Sequence, residues 1–308
     1  MTRISTAAAQ HAALSDIMRA QRELTIAQRQ YATGKIADQL KGFGANSEML
    51  TATRAVLSRE NAYVESAKRL QAKLETQALA IGEVSQVTDD LRQALTEALS
   101  LDEGGTLMAR LEDLATRAAV ALNTKFAGTY LFAGGRDTAP PFLANTIDDM
   151  AGAAPVGDLF QNGDIRAVAR LDDGNATETG ILADELGAGL IGALNRIKDF
   201  ADANGGGFTD PLTPAERTFL TGEITNASAA FDAITLVEAR NGLAQSNVDA
   251  AADRAGSRKD TMEIMLSDIE DADMAEVVAR LEQTQLALQA SAKAFSMLAG
   301  SSLLNYLL

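Results

Sequence analysis

The sequence contains no cysteine and no tryptophan, and it has a single histidine, His11. The absence of cysteine excludes disulfides, thiolate catalysis and cysteine-ligated zinc or iron. One histidine excludes a multi-histidine metal site, and a Ser-His-Asp triad would have to use an N-terminal residue that has no nucleophile motif nearby. We therefore expect no catalytic centre, metal or cofactor, and we interpret His11 as a residue on a helix face.

Positive charge is also scarce. The chain has 27 Lys and Arg against 42 Asp and Glu, which gives a formal net charge of −15 at pH 7. This balance argues against neutralising nucleic-acid phosphates and against adsorbing to an acidic membrane surface. No run approaches 18 apolar residues, and the first residues lack the apolar segment of a cleavable secretory signal. We expect no nucleic-acid partner, no membrane insertion and no cleaved signal peptide.

The sequence is rich in alanine and leucine that recur with a seven-residue period. Between Ser47 and Leu101 no proline interrupts this pattern, which predicts one continuous helix of roughly 80 Å. Gly104-Gly105 ends it, and a second helix is expected from Leu107 to about Phe126. The apolar seam includes Val56, Tyr63, Leu70, Leu74, Ile81, Val84, Leu91 and Leu95.

The C-terminal third carries two capping-box patterns. Thr213-Pro214-Ala215-Glu216 predicts the start of a returning helix, and Ser267-Asp268-Ile269-Glu270 predicts the start of the last one. The acidic residues Asp268, Glu270, Asp271 and Asp273 lack the glycine and ligand spacing of an EF-hand, so we interpret them as a solvated helix start.

Three further apolar tracks follow a spacing of four and three residues, which is typical of helices packed along their length. The tracks are Leu220, Ile224, Ala227, Phe231 and Ile234; Leu14, Ile17, Gln21, Leu24, Gln28 and Tyr31; and Met274, Val278, Leu281, Gln285, Leu288, Ala292, Phe295, Ala299, Ser302 and Tyr306.

The middle of the chain has most of the glycine and several turn signals. Ile165–Leu171 alternates apolar and polar residues between an Asn-Gly and an Asp-Gly turn, which predicts a hairpin strand. A short helix is expected from Ala188 to Phe200. The predicted fold is therefore mainly α: a long antiparallel coiled-coil or bundle rod formed by the N- and C-terminal thirds, with a small β-containing inserted domain.

The pattern suggests five segments. Residues 1–45 form a terminal-helix domain that pairs with the C-terminal helix at 267–308. Residues 46–136 and 213–266 form the two halves of the rod, and 137–212 form an inserted outer domain. Because the terminal seams are poor in large side chains, we expect these helices to become ordered against other copies of the chain.

Three segments form recognisable motifs: Ala121–Gly135 contains the pattern N-T-x-[YF]-x-G-x-Y-[LI]-F-x-G, Thr33-Gly34-Lys35 follows the first predicted helix, and Ser302–Leu307 contains S-L-L-x-Y-L. These segments resemble the flagellin superfamily, and within it the hook–filament junction proteins; Thr33-Gly34-Lys35 is similar to the Ser-Gly-Lys after the first flagellin helix. Gly42–Ser47 departs from the usual flagellin turn. The signature positions are Asn123, Thr124, Phe126, Gly128, Tyr130, Phe132 and Gly134, with Arg240 in a region that resembles the flagellin ARxxLG segment.

The resemblance implies a structural, non-enzymatic subunit outside the cell, exported without signal cleavage. Its implied role is an adaptor at the hook–filament junction, with copies of itself, another hook-associated protein, flagellin and an export chaperone as partners. A short flagellin is the near alternative; an enzyme with a site in the insert and an intracellular coiled-coil adaptor are more distant ones. The expected assembly and chaperone interface comprises Leu14, Ile17, Leu24, Leu281, Leu288, Phe295, Leu303 and Tyr306.

Overall fold

The computed structural model describes residues 2–151 and 155–307, and it is mainly α-helical, as the sequence predicts. The described residues form seven α-helices: α1 (Thr2–Thr33), α2 (Ser47–Leu101), α3 (Leu107–Leu122), α4 (Ile147–Met150), α5 (Ala183–Ala203), α6 (Pro214–Glu270) and α7 (Met274–Leu307). Two small antiparallel sheets accompany them. One pairs β1 (Lys125–Phe126) with β2 (Thr129–Tyr130), and the other pairs β3 (Val168–Arg170) with β4 (Ala176–Glu178).

Most predicted elements are present, with changed ends. Helix α2 has the predicted bounds, whereas α3 stops at Leu122, because the chain then turns into the β1–β2 hairpin rather than continuing to Phe126. Helix α5 begins at Ala183, earlier than the predicted Ala188. The predicted strand at Ile165–Leu171 shortens to β3, which pairs with β4 across the predicted Asp-Gly turn.

The predicted start of the last helix is wrong. Helix α6 runs through Ser267 to Glu270, and α7 begins only at Met274. The residue that caps α7 is Asp273, whose Oδ1 accepts hydrogen bonds from the backbone N–H groups of Ala275 (2.9 Å) and Glu276 (3.2 Å). The Ser267 hydroxyl instead donates to Asp271 Oδ2 at 2.5 Å, so it caps no new helix.

The chain divides into two compact units. We call residues 1–60 with 257–308 the terminal unit and residues 61–256 the central unit. Helices α2 and α6 contribute residues to both. The finer division into five segments remains a prediction.

The core of the central unit confirms the seven-residue period of α2. Leu74, Ile81, Leu91 and Leu95 are fully buried. Helix α6 runs antiparallel to α2 here, since Gln71 Nε2 donates to Asp249 Oδ1 (2.7 Å) and Gln77 Nε2 donates to Asn241 Oδ1 (3.1 Å). On α6 the track is partly wrong. Leu220, Ala227 and Ile234 are buried as predicted, but Ile224 and Phe231 are only half-buried and Glu223 and Ala230 are buried in their place.

The described residues of the middle segment, 137–151 and 155–212, contribute buried side chains to the core of the central unit. Buried side chains of α4 and α5 join those of α2, α3 and α6 in one cluster, which includes Phe142, Ile147, Leu190, Leu194 and Ile197. Glycines allow the close packing of α5. A Cβ added at Gly187 would lie 2.8 Å from Leu122 Cδ1, and one at Gly189 would lie 2.8 Å from Ala230 Cβ. Residues 137–212 lie within the central unit, and the described ones share its core.

The start of α6 is fixed by the predicted capping box. Thr213 N donates to Glu216 Oε2 (2.6 Å), and Glu216 N donates to Thr213 Oγ1 (3.3 Å). Thr209 adds a backbone donor to Oε1 (3.0 Å) and a hydroxyl donor to Oε2 (2.6 Å). Burial alone would raise the pKa of Glu216, but the hydrogen bonds from Thr209 and Thr213 outweigh it and lower the pKa to about 2.

Leu74→Ala should lower the free energy of unfolding by about 2–5 kcal/mol, because the side chain is fully buried and its removal leaves a cavity. The matched control is Leu79→Ala in the same helix, where the side chain is 73% exposed. That variant should change stability by less than about 0.5 kcal/mol. Chemical denaturation of both variants checks the expectation, and equal effects at the two positions would contradict the assigned register.

Stability of the central unit should fall as the pH drops from about 4.5 towards about 2. The folded state holds Glu216 ionised below its ordinary pKa, so its contribution is complete above 4.5 and is lost on protonation. Glu216→Gln should be less stable than the parent at neutral pH, and the difference should shrink towards pH 2. Urea titrations across this range, with exposed Glu112→Gln as control, would contradict the assignment if the difference stayed constant.

Candidate assembly surface

The two terminal helices pack against each other within the terminal unit. An antiparallel bridge between Lys35 and Asp271 places the end of α1 beside the start of α7, so the helices run in opposite directions from that point. Ala20 and Ala27 of α1 and Val277 of α7 are buried. Small side chains let the two helices approach closely but bury little apolar area per residue.

Five of the eight predicted interface residues lie on the sides of these helices that meet. These five are half-buried: Ile17 and Leu24 of α1, and Leu281, Leu288 and Phe295 of α7. The first four lie three or four residues from the buried Ala20 and Ala27 in α1 or from the buried Val277 and Thr284 in α7, which is the spacing of one helix face. Phe295 lies seven residues after Leu288, on the same face about two turns further along. Their burial places them in the contact between α1 and α7 of one chain.

The remaining residues of the predicted α1 track lie outside the contact between α1 and α7. Leu14 is 43% exposed and Tyr31 is 54% exposed, and Gln21 and Gln28 are exposed as well. The intrachain seam of α1 instead uses the alanines one position away. The predicted interface residues Leu303 and Tyr306 belong to α7, but their side chains lie outside the described residues.

A group of residues that we call the terminal clasp joins the ends of these helices: Lys35, Arg54, Ser267, Glu270 and Asp271. Gly34 ends α1 with a positive φ of 69°, and its carbonyl accepts from Ala272 N at 2.9 Å. Ile36 N donates to the Glu270 carbonyl at 2.7 Å. These backbone bonds tie the loop after α1 to the linker between α6 and α7.

Charged side chains reinforce the clasp. Lys35 Nζ lies 2.7 Å from Asp271 Oδ1 and 3.2 Å from Glu270 Oε2, and Arg54 Nε donates to Glu270 Oε1 at 2.7 Å. The hydrogen bond with Asp271 raises the pKa of Lys35, although burial opposes it, and the same bond lowers the pKa of Asp271, assisted by Ser267. Glu270 is 5% exposed, so the interpretation of this acidic run as a solvated helix start is wrong for Glu270.

Exposed apolar side chains are frequent in the terminal unit. They are Leu14, Met18, Ile26, Tyr31, Ile36, Leu40, Met49, Ile264, Met265, Met274, Val278, Leu286 and Met297. The charge of this unit is nearly balanced, with 12 basic and 13 acidic residues, whereas the central unit has 15 basic and 29 acidic residues. An apolar surface of near-zero net charge is suited to association, and a strongly acidic one is suited to solvent.

The signature residues build a turn in the central unit rather than an exposed surface. Asn123 closes α3 by donating Nδ2 to the Phe142 carbonyl (2.9 Å) and accepting from Phe142 N (3.1 Å). Thr124 Oγ1 donates to the Ala121 carbonyl at 2.8 Å. Between Phe126 and Thr129 the hairpin turns through Ala127 and Gly128, with φ angles of 50° and 88°. Two positive φ angles in a two-residue turn explain the glycine.

The rest of the signature anchors this turn. Lys125 Nζ lies 4.4 Å from the centre of the Tyr130 ring, and Phe132 is fully buried. Gly134 has a φ of 61°, and a Cβ there would lie 2.4 Å from the Gly163 carbonyl oxygen. Arg240 of α6 forms an ion pair with Glu185 of α5. These residues hold the β1–β2 hairpin and α5 against the helices.

The pKa of Asp149 is lowered by hydrogen bonds that stabilise a helix start, so this carboxyl has a structural role. Backbone N–H groups of Asn145 and Thr146 and the Thr146 hydroxyl lower the pKa of Asp149, which forms a capping box with Thr146, the N-cap residue of α4. Within residues 2–151 and 155–307, no three acidic or histidine side chains are grouped as a metal site would require. None of the helices described is long and apolar enough to cross a bilayer.

One comparison with known protein families matches the C-terminal part of the chain. Residues 224–307 match the family described as the bacterial flagellin C-terminal helical region. The match takes in most of α6 and α7, including one partner of the terminal helix pair. It confirms the resemblance to the flagellin superfamily. No curated protein sequence matches the chain significantly.

Two solved structures share the fold. A flagellar hook-associated protein from Vibrio parahaemolyticus has a TM-score of 0.59 and 13% identity, over 73% of this chain and 97% of that chain. Bacillus cereus FlgL has a TM-score of 0.54 and 16% identity, over 71% of this chain and 98% of that chain. At these identities the likeness is one of fold.

Sequence reasoning missed the terminal clasp. Thr33-Gly34-Lys35 resembles a flagellin motif, but nothing in its pattern indicates that Glu270 and Asp271 lie beside it. The sequence does place opposite charges near two helix ends, Lys35 after α1 and Glu270 and Asp271 at the end of α6. Spacing along the sequence cannot show that charges more than 200 residues apart form ion pairs.

Lys35→Met should loosen the clasp, because Asp271 then loses its charged donor and Glu270 keeps Arg54. We expect amide hydrogen exchange at Ile36 and Ala272 to become about three- to tenfold faster, while exchange in the central unit stays unchanged. The control is Lys259→Met, which removes an ion pair within α6. Equal exchange in the parent and Lys35→Met proteins would contradict the role of the clasp.

Proposed function

We propose that this chain is a structural subunit of the bacterial flagellum that acts at the hook–filament junction. The observation that carries the proposal is the flagellin C-terminal match at residues 224–307, because it falls on α7, the helix that pairs with α1. The fold likeness to a protein named as hook-associated, beside that to Bacillus cereus FlgL, favours the junction over the filament. The ending Ser302–Leu307 points the same way, since it resembles the junction proteins.

The terminal unit is the part proposed to assemble with other copies, with the other hook-associated protein and with flagellin. Its two helices meet through alanines and half-buried larger residues, so their pairing within one chain is weak. Neighbouring subunits would add apolar contacts on the faces that carry Leu14 and Leu286. The acidic central unit would then face solvent and keep the assembly soluble.

An export chaperone is proposed to hold α7 before assembly. Leu281, Leu288 and Phe295 are half-buried in the contact between α1 and α7, so a chaperone groove that takes these three side chains must displace α1. Chaperone binding and the terminal helix pair would then exclude each other. The chain would leave the cell with its N-terminus intact and function outside it.

A short flagellin that forms the filament itself is the second candidate, since the matched family is that of flagellin. The two roles differ in copy number and place: thousands of copies along a filament, or a short ring at its base. An enzyme and an intracellular adaptor are less favoured, because the family that matches is a structural one.

The expected location is the base of the filament. Sheared flagella labelled with an antibody against the central unit should carry label at the proximal end alone. Label along the whole filament would favour the flagellin alternative, and complete absence of label would contradict a flagellar role.

Truncation before Ala290 should abolish incorporation and filament retention, because it removes the second half of α7 with Phe295. The central unit should keep its melting temperature, since none of its residues is removed. The measurement is motility and filament count in cells that express the truncated chain at the level of the parent. The control is the full chain returned to the same strain, and normal filaments with the truncated chain would overturn the proposal.

A further inference from the structure

The loop that follows α1 forms an open groove with a volume of about 530 Å³. Gln30 Nε2 donates to the Ile36 carbonyl at 2.7 Å, which folds the loop back against α1. Ile26 and Ile36 line the groove and are 53% and 39% exposed. The groove therefore offers an apolar floor that nothing in the described part of the chain covers. We call it the basic groove, after the charges around it.

The charges of this groove differ from those of the whole protein. Its lining contains Arg29, Lys35 and Lys41 and a single acid, Asp38, in a chain with a net charge of −15. Asp38 Oδ2 lies 3.2 Å from Arg29 Nε and forms an ion pair with it. Lys35 forms its ion pairs within the terminal clasp. Lys41 is exposed and has no ion-pair partner among the residues that the structure describes. A net positive site in an acidic protein favours an acidic occupant.

The last turns of α6 carry a complementary surface, which we call the acidic ridge: Asp260, Ile264 and Asp268. Positions four residues apart lie on one face of a helix, so an apolar side chain stands between two carboxylates. Ile264 is 64% exposed. Neither aspartate has an ion-pair partner within the described ranges. The two carboxylates are separated by about 12 Å along the helix axis.

We propose that the basic groove of one copy receives the acidic ridge of a second copy of this chain. Ile264 packs against Ile26 and Ile36, and the ridge carboxylates lie beside Lys41 and Arg29. Each copy would use its groove on one neighbour and its ridge on another, so the contact is head-to-tail and adds copies in one direction, as a ring or helical layer requires. The inference rests on the proposed self-assembly and names the surface that performs it.

The apolar contact and the charges have different roles. Exposed ion pairs add little to affinity, so burial of the three isoleucines provides the attraction. The charges determine orientation, because a ridge placed in the reverse register or on another acidic surface would meet repulsion. The second copy is favoured as occupant because the same unit presents both surfaces, with exposed isoleucine on each and charges of opposite sign.

The first test reverses charges in the full-length chain. Lys41→Glu and Asp268→Lys should each weaken self-association about tenfold, and the double variant should return to within about threefold of the parent. The control is Asp253→Lys, an exposed aspartate of α6 in the central unit, which should leave self-association unchanged. Sedimentation velocity over a range of concentrations measures the effect, and melting curves establish that each variant folds.

The second test uses the absence of native cysteine. Chains with Lys41→Cys are mixed with chains with Asp268→Cys and oxidised, both as concentrated purified protein and in flagella from cells that express both. A disulfide-linked pair of copies should form with this combination, and replacing Asp268→Cys by Asp253→Cys should reduce its yield at least about tenfold.

The outcomes separate this inference from the proposed function. Chains that enter flagella but give no more cross-link with Asp268→Cys than with Asp253→Cys would overturn the contact and leave the flagellar role intact. Cross-linking in purified protein without incorporation into flagella would support the contact and contradict the flagellar role. Capture of another acidic protein on the groove, in place of the second copy, would also overturn the inference.

Discussion

The antiparallel contact of α2 with α6 is the constraint on which the rest of the structure depends. In the central unit it packs Leu95 into a common core with α5 and Leu74 against Ala244 and Val248 of α6, and in the terminal unit it places Arg54 beside Glu270. Only because the two long helices keep this register do residues more than 200 positions apart meet at the clasp. The clasp in turn fixes where α1 ends and α7 begins, and so the pairing of the terminal helices.

The period of α2 could be predicted well, because seven-residue spacing of large apolar side chains is a local signal that packing reinforces. The seams of α1 and α7 were predicted less well. Where the large residues are few, Leu14 and Val278 continue a plausible track, yet both are exposed, and the residues buried between the helices include Ala20, Ala27 and Val277. Close approach of small residues decides that register, and the choice depends on both helices together rather than on either sequence alone.

Of the two predicted capping boxes, one forms and the other does not. Thr213 and Glu216 bond each other as predicted, since both side chains are near their own backbone and need no distant partner. Ser267 and Glu270 have the same spacing, but Glu270 forms ion pairs with Arg54 and Lys35. The N-cap of α7 is Asp273 instead. A tertiary ion pair therefore overrides a local motif. In the middle segment the turns are local signals that the sequence carries, whereas the packing of α5 against α3 depends on both helices together.

The weak seam of the terminal helices has a physical rationale in the proposed role. We propose that α7 must pair successively with a chaperone, with α1 and with neighbouring copies, and a seam that bound any one of these partners strongly would block exchange to the next. Leu281, Leu288 and Phe295 are half-buried, so they bury only a limited apolar area against α1 in a single chain. The same side chains remain able to contact a chaperone or a neighbouring copy. Specificity then has to come from elsewhere. The charged groove and ridge at the base of these helices can provide it, because charge pairs select orientation at small cost in affinity.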